Sequence, residues 1–285
     1  MLRLFHLLSR LPLGLLQAVG AALGLLVYAA SPRYRRSLHD NLMQAGFAPR
    51  RLALQAALHA GRMVGELPFV WLREGHGAAV RRVEVLGRAC VEQARGEGRG
   101  VLYLTPHLGC FEVSAQVAAL WGPITVLYRP PHKAWLAALA GARVRPDLRT
   151  APATAAGMRP LLRALRNGEA VGLLPDQAPS AGEGVWVPFF GRPAYTMTLP
   201  ARLAQLTGAR IVLAFAERLP RGAGYRLHLR ALSRQLPQDT QQATACINRE
   251  IETLVRECPQ QYLWGYKRYK VPAGAPLPPA QEQAA

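Results

Sequence analysis

Residues 100–122 of this chain read GVLYLTPHLGCFEVSAQVAALWG, and they give the clearest indication of its fold class. The apolar run at 101–104 has the length of a buried β-strand, whereas residues 111–122 carry apolar side chains at helical spacing. Pro106 and Gly109 interrupt the chain between these two patterns. The stretch therefore predicts a strand, a turn and a helix in succession.

The same alternation recurs along the chain. Further apolar runs typical of buried strands occupy residues 83–87, 124–130, 170–177, 210–217 and 225–232. Helical patterns follow several of them, at residues 157–168, 198–208 and 240–257. Alternating strands and helices predict an α/β domain with a mostly parallel central sheet flanked by helices.

The N-terminus carries a different signal. Residues 11–30, LPLGLLQAVGAALGLLVYAA, contain one strongly polar side chain, Gln17, and are long enough to cross a bilayer as a helix. We expect a membrane anchor that spans the bilayer or lies in its interface, with a buried core helix and a cleaved signal peptide as alternatives. If it spans, the arginine cluster at residues 33–36 predicts that the rest of the chain is cytoplasmic.

The predicted organisation has three parts. Residues 1–36 form the N-terminal hydrophobic anchor, and residues 37–271 form one α/β domain that begins with helical patterns up to about residue 83. Residues 272–285 are rich in proline and alanine, and we expect this tail to be disordered.

The composition is strongly basic. The 285 residues include 35 Lys and Arg against 17 Asp and Glu, a formal net charge of +18 that favours anionic partners. Only Lys133, Lys267 and Lys270 are lysines, which indicates a compositional bias toward arginine and weakens the charge as an argument for binding. The sequence has no recognisable nucleic-acid-binding motif, so we predict no nucleic-acid partner.

The four cysteines, at positions 90, 110, 246 and 258, form no C-x-x-C pair and have no histidine at zinc-site spacing. We therefore predict no metal site. The lack of a cysteine framework also favours a reducing compartment over an oxidising one.

The candidate chemistry lies in the turn after the strand at 101–104. His107 stands in that turn, and Glu112 falls in the first turn of the following helix, where the helix dipole favours a carboxylate. A carboxylate against one imidazole nitrogen fixes the tautomer and leaves the other nitrogen as a general base. On the motif alone, a solvated histidine beside a helix-capping glutamate is the simpler interpretation.

Further motifs accompany His107 and Glu112 in a definite order along the chain. They are Tyr128-Arg129-Pro130, Arg143 and Arg145, Leu174-Pro175-Asp176-Gln177, Val187-Pro188-Phe189-Phe190-Gly191, Pro200-Ala201-Arg202-Leu203-Ala204, and Gln261-Tyr262-Leu263-Trp264 with Lys267-Arg268-Tyr269-Lys270. With this series the sequence, from about residue 8 to residue 271, resembles the late acyltransferases of lipid A biosynthesis. These are bacterial membrane enzymes that carry an H-x4-D/E motif.

The resemblance implies a glycerol-3-phosphate acyltransferase-like α/β fold and an O-acyltransferase of lipopolysaccharide biosynthesis. His107 would deprotonate a hydroxyl of a lipid A precursor, and Glu112 would orient the ring and stabilise the imidazolium. The resulting alkoxide would attack an acyl thioester directly. An acyl-enzyme on Cys110 is the disfavoured alternative, because this position does not belong to the family motif.

The resemblance also implies the partners. The donor is acyl-acyl carrier protein, with acyl-coenzyme A as the less favoured co-substrate, and neither a cofactor nor a metal takes part. The other partners are an anionic glycolipid acceptor and inner-membrane lipid. The implied location is the cell inner membrane, with the catalytic domain on the cytoplasmic side, and the oligomeric state is open.

Four further residues are candidates for substrate binding. Arg129 and Arg145 each offer a guanidinium fork to a phosphate or an acidic sugar, although either one can equally be solvated surface. Asp176 and Gln177 follow an apolar strand, where ligands bind in parallel sheets, although Asp176 can also be a turn cap.

Other functions remain open on the sequence alone. The same pair of residues serves acyl transfer to another lipid, such as an aminolipid, a glycolipid or a lysophospholipid. A non-catalytic membrane scaffold would explain the hydrophobic helix but has no use for His107 and the motifs that accompany it.

Overall fold

The computed structural model describes residues 2–73, 77–129 and 147–279. The chain starts with five helices that precede the first strand. They are α1 (Leu2–Ser9), α2 (Leu13–Ala30), α3 (Pro32–Gln44), α4 (Pro49–Gly65) and α5 (Leu67–Leu72). Ser31 begins α3 as its N-cap, since its hydroxyl accepts a hydrogen bond from the backbone N–H of Tyr34.

Nine strands follow within the described residues, and seven of them form one sheet. They are β1 (Val83–Leu86), β2 (Val101–Leu104), β3 (Ile124–Tyr128), β4 (Leu148–Pro152), β5 (Ala170–Leu173), β6 (Gly184–Phe189), β7 (Arg192–Met197), β8 (Arg210–Arg218) and β9 (Tyr225–Ala231). The strand order in the sheet is β1-β9-β8-β2-β5-β3-β4, whereas β6 and β7 form a separate hairpin. Every pairing in the large sheet is parallel except that of β8 with β9. The predicted fold class, an α/β domain with a mostly parallel central sheet, is confirmed.

Helices cover both faces of this sheet. They are α6 (Ala89–Gly96), α7 (Phe111–Ala119), α8 (Ala155–Arg166), α9 (Leu199–Thr207) and α10 (Thr240–Glu257), together with the N-terminal helices. Side chains of β2 alternate between two apolar clusters, because successive residues of a strand point to opposite faces. Leu102 and Leu104 pack with Leu161 of α8, whereas Val101 and Tyr103 belong to the cluster on the α7 side. The central strands are therefore buried on both faces.

All six apolar runs predicted as strands are strands in the structure, and the four predicted helices correspond to α7, α8, α9 and α10. The sequence did not predict β4 or the β6–β7 hairpin. Each of these segments contains proline, which cannot donate to a neighbouring strand and argues against a strand assignment. Both are tolerated here because β4 is the edge of the large sheet and the hairpin has only two strands.

The hydrophobic helix α2 packs closely against α4. Gly20 of α2 and Gly61 of α4 lie at the contact, where a Cβ built on Gly61 would come within 2.0 Å of the Gly20 carbonyl oxygen. Gly24, one turn after Gly20 in α2, and Gly65, one turn after Gly61 in α4, lie at the same contact. Small residues four positions apart on both helices thus let the two backbones approach.

A buried polar network ties α2 to the sheet. Gln17 Nε2 donates to Glu66 Oε2 at 2.9 Å, and Arg218 Nη2 donates to Glu66 Oε1 at 2.6 Å. The side chains of Arg218 and Glu66 are 1% and 0% exposed. Because Arg218 is the last residue of β8, the network joins α2 to the central sheet.

The other face of α2 is exposed and apolar. By length and composition alone, α2 is apolar enough to cross a membrane. Its exposed side chains include Leu15, Val19, Leu23, Leu26 and Val27, and Leu4 and Leu7 of α1 are exposed as well. The helix is thus a packed element of the protein on one side and an apolar surface on the other.

Candidate active site

The candidate site lies where two neighbouring strands end. β2 and β5 are adjacent and parallel, so the turns that follow them emerge at the same edge of the sheet. His107 lies in the turn after β2, and Asp176 and Gln177 lie in the turn after β5. Residues 69 positions apart in the sequence are thereby brought into contact.

Asp176 binds His107 through both carboxylate oxygens. The Nδ1–H of His107 donates to Oδ1 at 2.8 Å, and the backbone N–H of His107 donates to Oδ2 at 2.9 Å. Asp176 is 3% exposed. Burial opposes its ionisation, but the charge of His107 and the hydrogen bonds that it donates lower the pKa of the Asp176 carboxyl below its ordinary value. A buried carboxylate thus fixes the histidine ring and its tautomer.

The second ring nitrogen of His107 faces Gln177. The two Nε2 atoms are 3.1 Å apart, and the amide N–H of Gln177 donates to the imidazole nitrogen. Because Nδ1 carries the proton held by Asp176, Nε2 carries the lone pair that a general base requires. The ring edge of Phe111 packs on His107, with 4.8 Å between ring centroids.

The turn that carries His107 is held by distant parts of the chain. Gly109 has a φ of +61°, and a Cβ on it would come within 2.0 Å of the Ala216 carbonyl oxygen, so only glycine fits. The backbone N–H of Gly109 donates to the carbonyl of Gln261 at 3.1 Å, and that of Leu263 donates to the carbonyl of His107 at 3.0 Å. The C-terminal segment thus braces the turn that carries His107.

The contacts of the two His107 ring nitrogens come from the turn after β5. We expected the Glu112 carboxylate to hold the imidazole, but Asp176 holds Nδ1, and Gln177 faces Nε2. Glu112 lies in the first turn of α7 as predicted, and its Oε2 accepts a hydrogen bond from Trp71 Nε1 at 3.0 Å. The motif places His107 and Glu112 at one site. The carboxylate that contacts the imidazole ring, however, is that of Asp176, which follows β5.

An open cavity of about 440 Å³ lies in front of His107. His107, Glu112, Arg129 and Gln177 all contribute to its wall. Much of the remaining wall is apolar and comes from Leu127, Met158, Leu161, Leu174, Met197 and Leu199. A polar reacting end beside an apolar wall suits a substrate with a hydrocarbon chain.

A smaller inner cavity of about 40 Å³ adjoins the first one. The two cavities share Phe111 and Leu174 as lining residues. Tyr103 and Ser114 line the inner cavity, and neither hydroxyl has a hydrogen-bond partner among the described residues. Burial raises the pKa of Tyr103 above its ordinary value.

The remaining predicted residues fall into two groups. Arg129 is exposed at the cavity rim, where its Nη2 lies 3.5 Å from the Ser180 hydroxyl, and Gln177 faces His107. Arg145 lies outside the described residues, as do Pro130 and Arg143 of the accompanying motifs. The sequence therefore predicted four polar residues of the cavity wall, namely His107, Glu112, Arg129 and Gln177.

The sequence analysis did not identify Trp71 and Arg202 as residues of the site. Trp71, which binds Glu112, comes from α5, and no sequence signal distinguishes it from a core aromatic residue. Arg202 lines the cavity from α9. It belongs to the Pro200–Ala204 motif, which is the signal that would have identified it.

Cys110 is a poor nucleophile in this structure. It is 2% exposed, and burial raises the pKa of its thiol well above the ordinary value, with the negative charge of Glu66 adding to the effect. Among the residues that the structure describes, no group of three or more His, Cys, Asp or Glu side chains is placed to hold a metal ion.

Comparison with known proteins assigns the family. The family profile described as "Bacterial lipid A biosynthesis acyltransferase" matches residues 2–271. The chain is 26% identical to the lipid A biosynthesis lauroyltransferase of Escherichia coli over 281 residues, which are 95% of this chain and 90% of that protein. It is 30% identical to the lipid A biosynthesis acyltransferase of Haemophilus influenzae over 190 residues, 65% of this chain and 58% of that protein.

A third relative is the lipid A biosynthesis palmitoleoyltransferase of Escherichia coli, 31% identical over 188 residues, which are 66% of this chain and 61% of that protein. The aligned part is thus about three fifths of two relatives and nine tenths of the other. The profile match over nearly the whole chain confirms the resemblance read from the ordered motifs. The chain belongs to the family of bacterial lipid A biosynthesis acyltransferases.

Proposed function

We propose that this protein is a membrane-associated O-acyltransferase that moves a fatty acyl chain from an acyl thioester to a hydroxyl of a lipid A precursor. The observation that carries the proposal is the pairing of His107 Nδ1 with the buried Asp176 carboxylate at 2.8 Å, beside a cavity with an apolar wall. Membership of the family supports the same activity.

His107 acts as the general base. The acceptor hydroxyl replaces the Gln177 amide at Nε2 and donates its proton there as its oxygen attacks the thioester carbonyl carbon. The carbon–sulfur bond then breaks, and the leaving thiolate takes the proton from the imidazolium. Asp176 stabilises this imidazolium by its negative charge and keeps Nδ1 protonated throughout.

Glu112 is the second carboxylate of the mechanism. It lines the same cavity as His107, and the Trp71 indole fixes one of its oxygens. Its place in the first turn of α7 favours the ionised form, because the helix dipole stabilises negative charge there. We assign Glu112 to the electrostatic support of the protonated histidine, with Asp176 as the orienting group.

The donor is an acyl thioester on acyl carrier protein, with acyl-coenzyme A as the less favoured donor. Arg129 and Arg202 line the cavity, and Arg159 and Arg163 are exposed on α8, whose residues Met158 and Leu161 form part of the apolar wall. Positive charge around the entrance attracts an acidic carrier. The acyl chain lies along the apolar wall and ends beyond Phe111 and Leu174.

The membrane contact is the exposed face of α1 and α2. Because Gln17 is held by the buried Glu66, and Gly20 packs on Gly61, one side of α2 is committed to the protein. We therefore place α2 in the membrane interface, with its exposed leucines and valines in the lipid, rather than across the bilayer. The flanking arginines suit the anionic cytoplasmic surface of the inner membrane.

The test is mass spectrometry of total lipids from cells that lack the gene and are complemented with the wild type or with His107→Ala. We expect one lipid A species to lose a single acyl chain, and only the wild type to restore it. An unchanged lipid A with a shift in another lipid would contradict the acceptor and favour transfer to an aminolipid, a glycolipid or a lysophospholipid. No lipid change at all would favour a non-catalytic scaffold.

A further inference from the structure

A third cavity lies away from His107, on the surface of α3. Its volume is about 580 Å³, and its lining residues are Arg33, Arg36, Ser37, Asp40 and Lys267. The four residues of α3 are spaced three, four and seven positions apart, so they share one face of the helix. Lys267 reaches the same cavity from the C-terminal segment, more than two hundred residues later.

The cations of this cavity have no structural task. Arg33, Arg36 and Lys267 are exposed, and none of them forms an ion pair within the described part of the chain. Their neighbour Arg35 differs, because its Nη1 donates to the C-terminal carbonyls of α2, those of Tyr28 at 2.9 Å and Ala29 at 3.1 Å. One arginine of the cluster thus caps a helix, whereas the other two point positive charge into a cavity.

The cavity lies at the polar end of an apolar surface. α3 begins directly after α2, whose Leu23, Leu26 and Val27 side chains are exposed near this junction. A lipid whose chains cover that surface has its phosphate at the boundary with water. The order of apolar surface and positive charge along the chain therefore matches the order of parts in an anionic lipid.

The cavity is also connected to the active site. The hydroxyl of Tyr266, the residue before Lys267, accepts a hydrogen bond from the backbone N–H of Ala178 at 3.0 Å. Ala178 follows Gln177 and lines the active-site cavity. Asn41 of α3 donates to the carbonyl of Tyr266 at 3.0 Å, so the same short segment forms one wall of the cation cavity and braces the rim of the active site.

We propose that Arg33, Arg36 and Lys267 bind the phosphate group of an anionic lipid. The guanidinium groups offer paired N–H donors to phosphate oxygens, Ser37 adds a hydroxyl donor, and Lys267 adds a point charge. Asp40 is the one acidic group in the lining, and it lowers the net charge of the cavity. The phosphate comes from the acceptor itself, which rests on the proposed function, or from a lipid of the surrounding bilayer.

The test uses the purified full chain and two double variants. Arg33→Gln/Arg36→Gln removes two cations of the cavity, and Arg50→Gln/Arg51→Gln is the matched control. The control arginines are exposed in the first turn of α4, which, like α3, has a proline near its N-terminus. Thermal unfolding of both variants at the wild-type temperature establishes that neither change has damaged the fold.

The first arm measures binding to phosphatidylcholine vesicles with and without phosphatidic acid. The second arm measures KM and kcat in neutral detergent for a phosphorylated acceptor and for the same acceptor after phosphatase treatment. We expect the cavity variant to lose about tenfold or more, relative to the control, in one of these arms, because charge-assisted hydrogen bonds to phosphate are lost. In the acceptor arm the loss appears in KM, with kcat kept, and only for the phosphorylated acceptor.

The outcomes separate the two sources. A loss confined to vesicle binding assigns the site to bilayer phosphate, and a loss confined to KM assigns it to the acceptor. Asp40→Asn acts in the opposite direction and strengthens whichever interaction the cavity makes. If the cavity variant equals the control in both arms, the proposal is overturned. A wild type that acylates neither acceptor would instead contradict the proposed function, and vesicle binding would still test the cavity.

Discussion

His107 and Asp176 form a two-point contact, in which one carboxylate accepts both the ring Nδ1–H and the backbone N–H of the same histidine. The distances are 2.8 and 2.9 Å. The backbone bond fixes the position of the turn, and the ring bond fixes the tautomer. Since the charge and hydrogen bonds of His107 outweigh the effect of burial and lower the pKa of the Asp176 carboxyl below its ordinary value, the carboxylate is negatively charged at every pH at which the enzyme is expected to work.

Asp176→Asn should therefore reduce kcat by about 10²- to 10⁴-fold without unfolding the protein. The amide can donate to Nδ1, which places the ring proton on Nε2 and leaves no lone pair to accept the proton of the hydroxyl. The measurement is single-turnover acyl transfer from a labelled thioester, with the melting temperature as a check on the fold. In a His107→Ala background the same change should cost no further activity, because both residues act through one proton transfer.

Glu112→Gln is the control that distinguishes the two carboxylates. It leaves the bond between His107 and Asp176 in place, so the low-field proton NMR signal of the His107 ring should persist in Glu112→Gln and vanish in Asp176→Asn. Loss of this signal in Glu112→Gln alone would return the orienting role to Glu112.

The inner cavity gives a prediction about chain length. The hydroxyl of Ser114 has no hydrogen-bond partner among the described residues, and it faces a cavity that adjoins the active site. Ser114→Leu fills this space, so we expect the enzyme to prefer a shorter acyl chain than the wild type does. Competition between thioesters of different lengths measures the preference.

Ser114→Ala is the matched control for this substitution. It removes the unpartnered hydroxyl and slightly enlarges the cavity, so it should leave the preference for the wild-type chain intact. The same shortening in both variants would mean that Ser114 acts through the local structure of α7. No shift in Ser114→Leu would place the end of the acyl chain elsewhere.

The sequence predicted the sheet well because its central strands are buried on both faces. A continuous apolar run such as 210–217 has few alternatives, and it became the strand β8. The β6–β7 hairpin escaped prediction because Pro188 and Pro193 argue against strands. The first residue of its two-residue turn is Phe190, at a φ of +47°, where Asn or Asp usually precedes a glycine such as Gly191.

The site was only partly predictable for a related reason. A motif within six residues reveals which groups share a turn, so His107 and Glu112 were identified together. The partner of the histidine depends on which strand lies beside β2, and strand order is a long-range property that periodicity does not contain. Asp176 was predicted at a strand end, but its contact with His107 follows only once β5 is known to be the neighbour.

His59 should make the stability of the protein depend on pH. Burial, together with the nearby positive charges of Arg218 and Arg62, lowers the pKa of His59 from 6.5 to about 3. Below pH 6.5 the unfolded chain therefore takes up a proton that the folded protein refuses, and the free energy of unfolding falls as the pH decreases toward 3. Above pH 6.5 the residue is neutral in both states and contributes no slope.

The measurement is the free energy of urea unfolding at pH 7.5 and at pH 5, for the wild type and for His59→Gln. The wild type should lose more stability between the two values than the variant, by at most about 1.4 kcal/mol for each pH unit below 6.5. Carboxylates contribute equally to both proteins, so the difference isolates His59. Parallel pH dependences would show that His59 is protonated in the folded state.

The contact between α2 and α4 can be tested with two helical glycines. Gly61→Ala places a methyl group within 2.0 Å of the Gly20 carbonyl oxygen, which backbone atoms cannot avoid without moving the helices apart. We expect the free energy of unfolding to fall by about 1–3 kcal/mol. Gly96→Ala, at the end of α6, meets open space and should instead stabilise the protein by about 0.4–1 kcal/mol. Chemical denaturation in neutral detergent measures the free energy of unfolding of both variants. Equal changes in Gly61→Ala and Gly96→Ala would mean that α2 does not pack against α4.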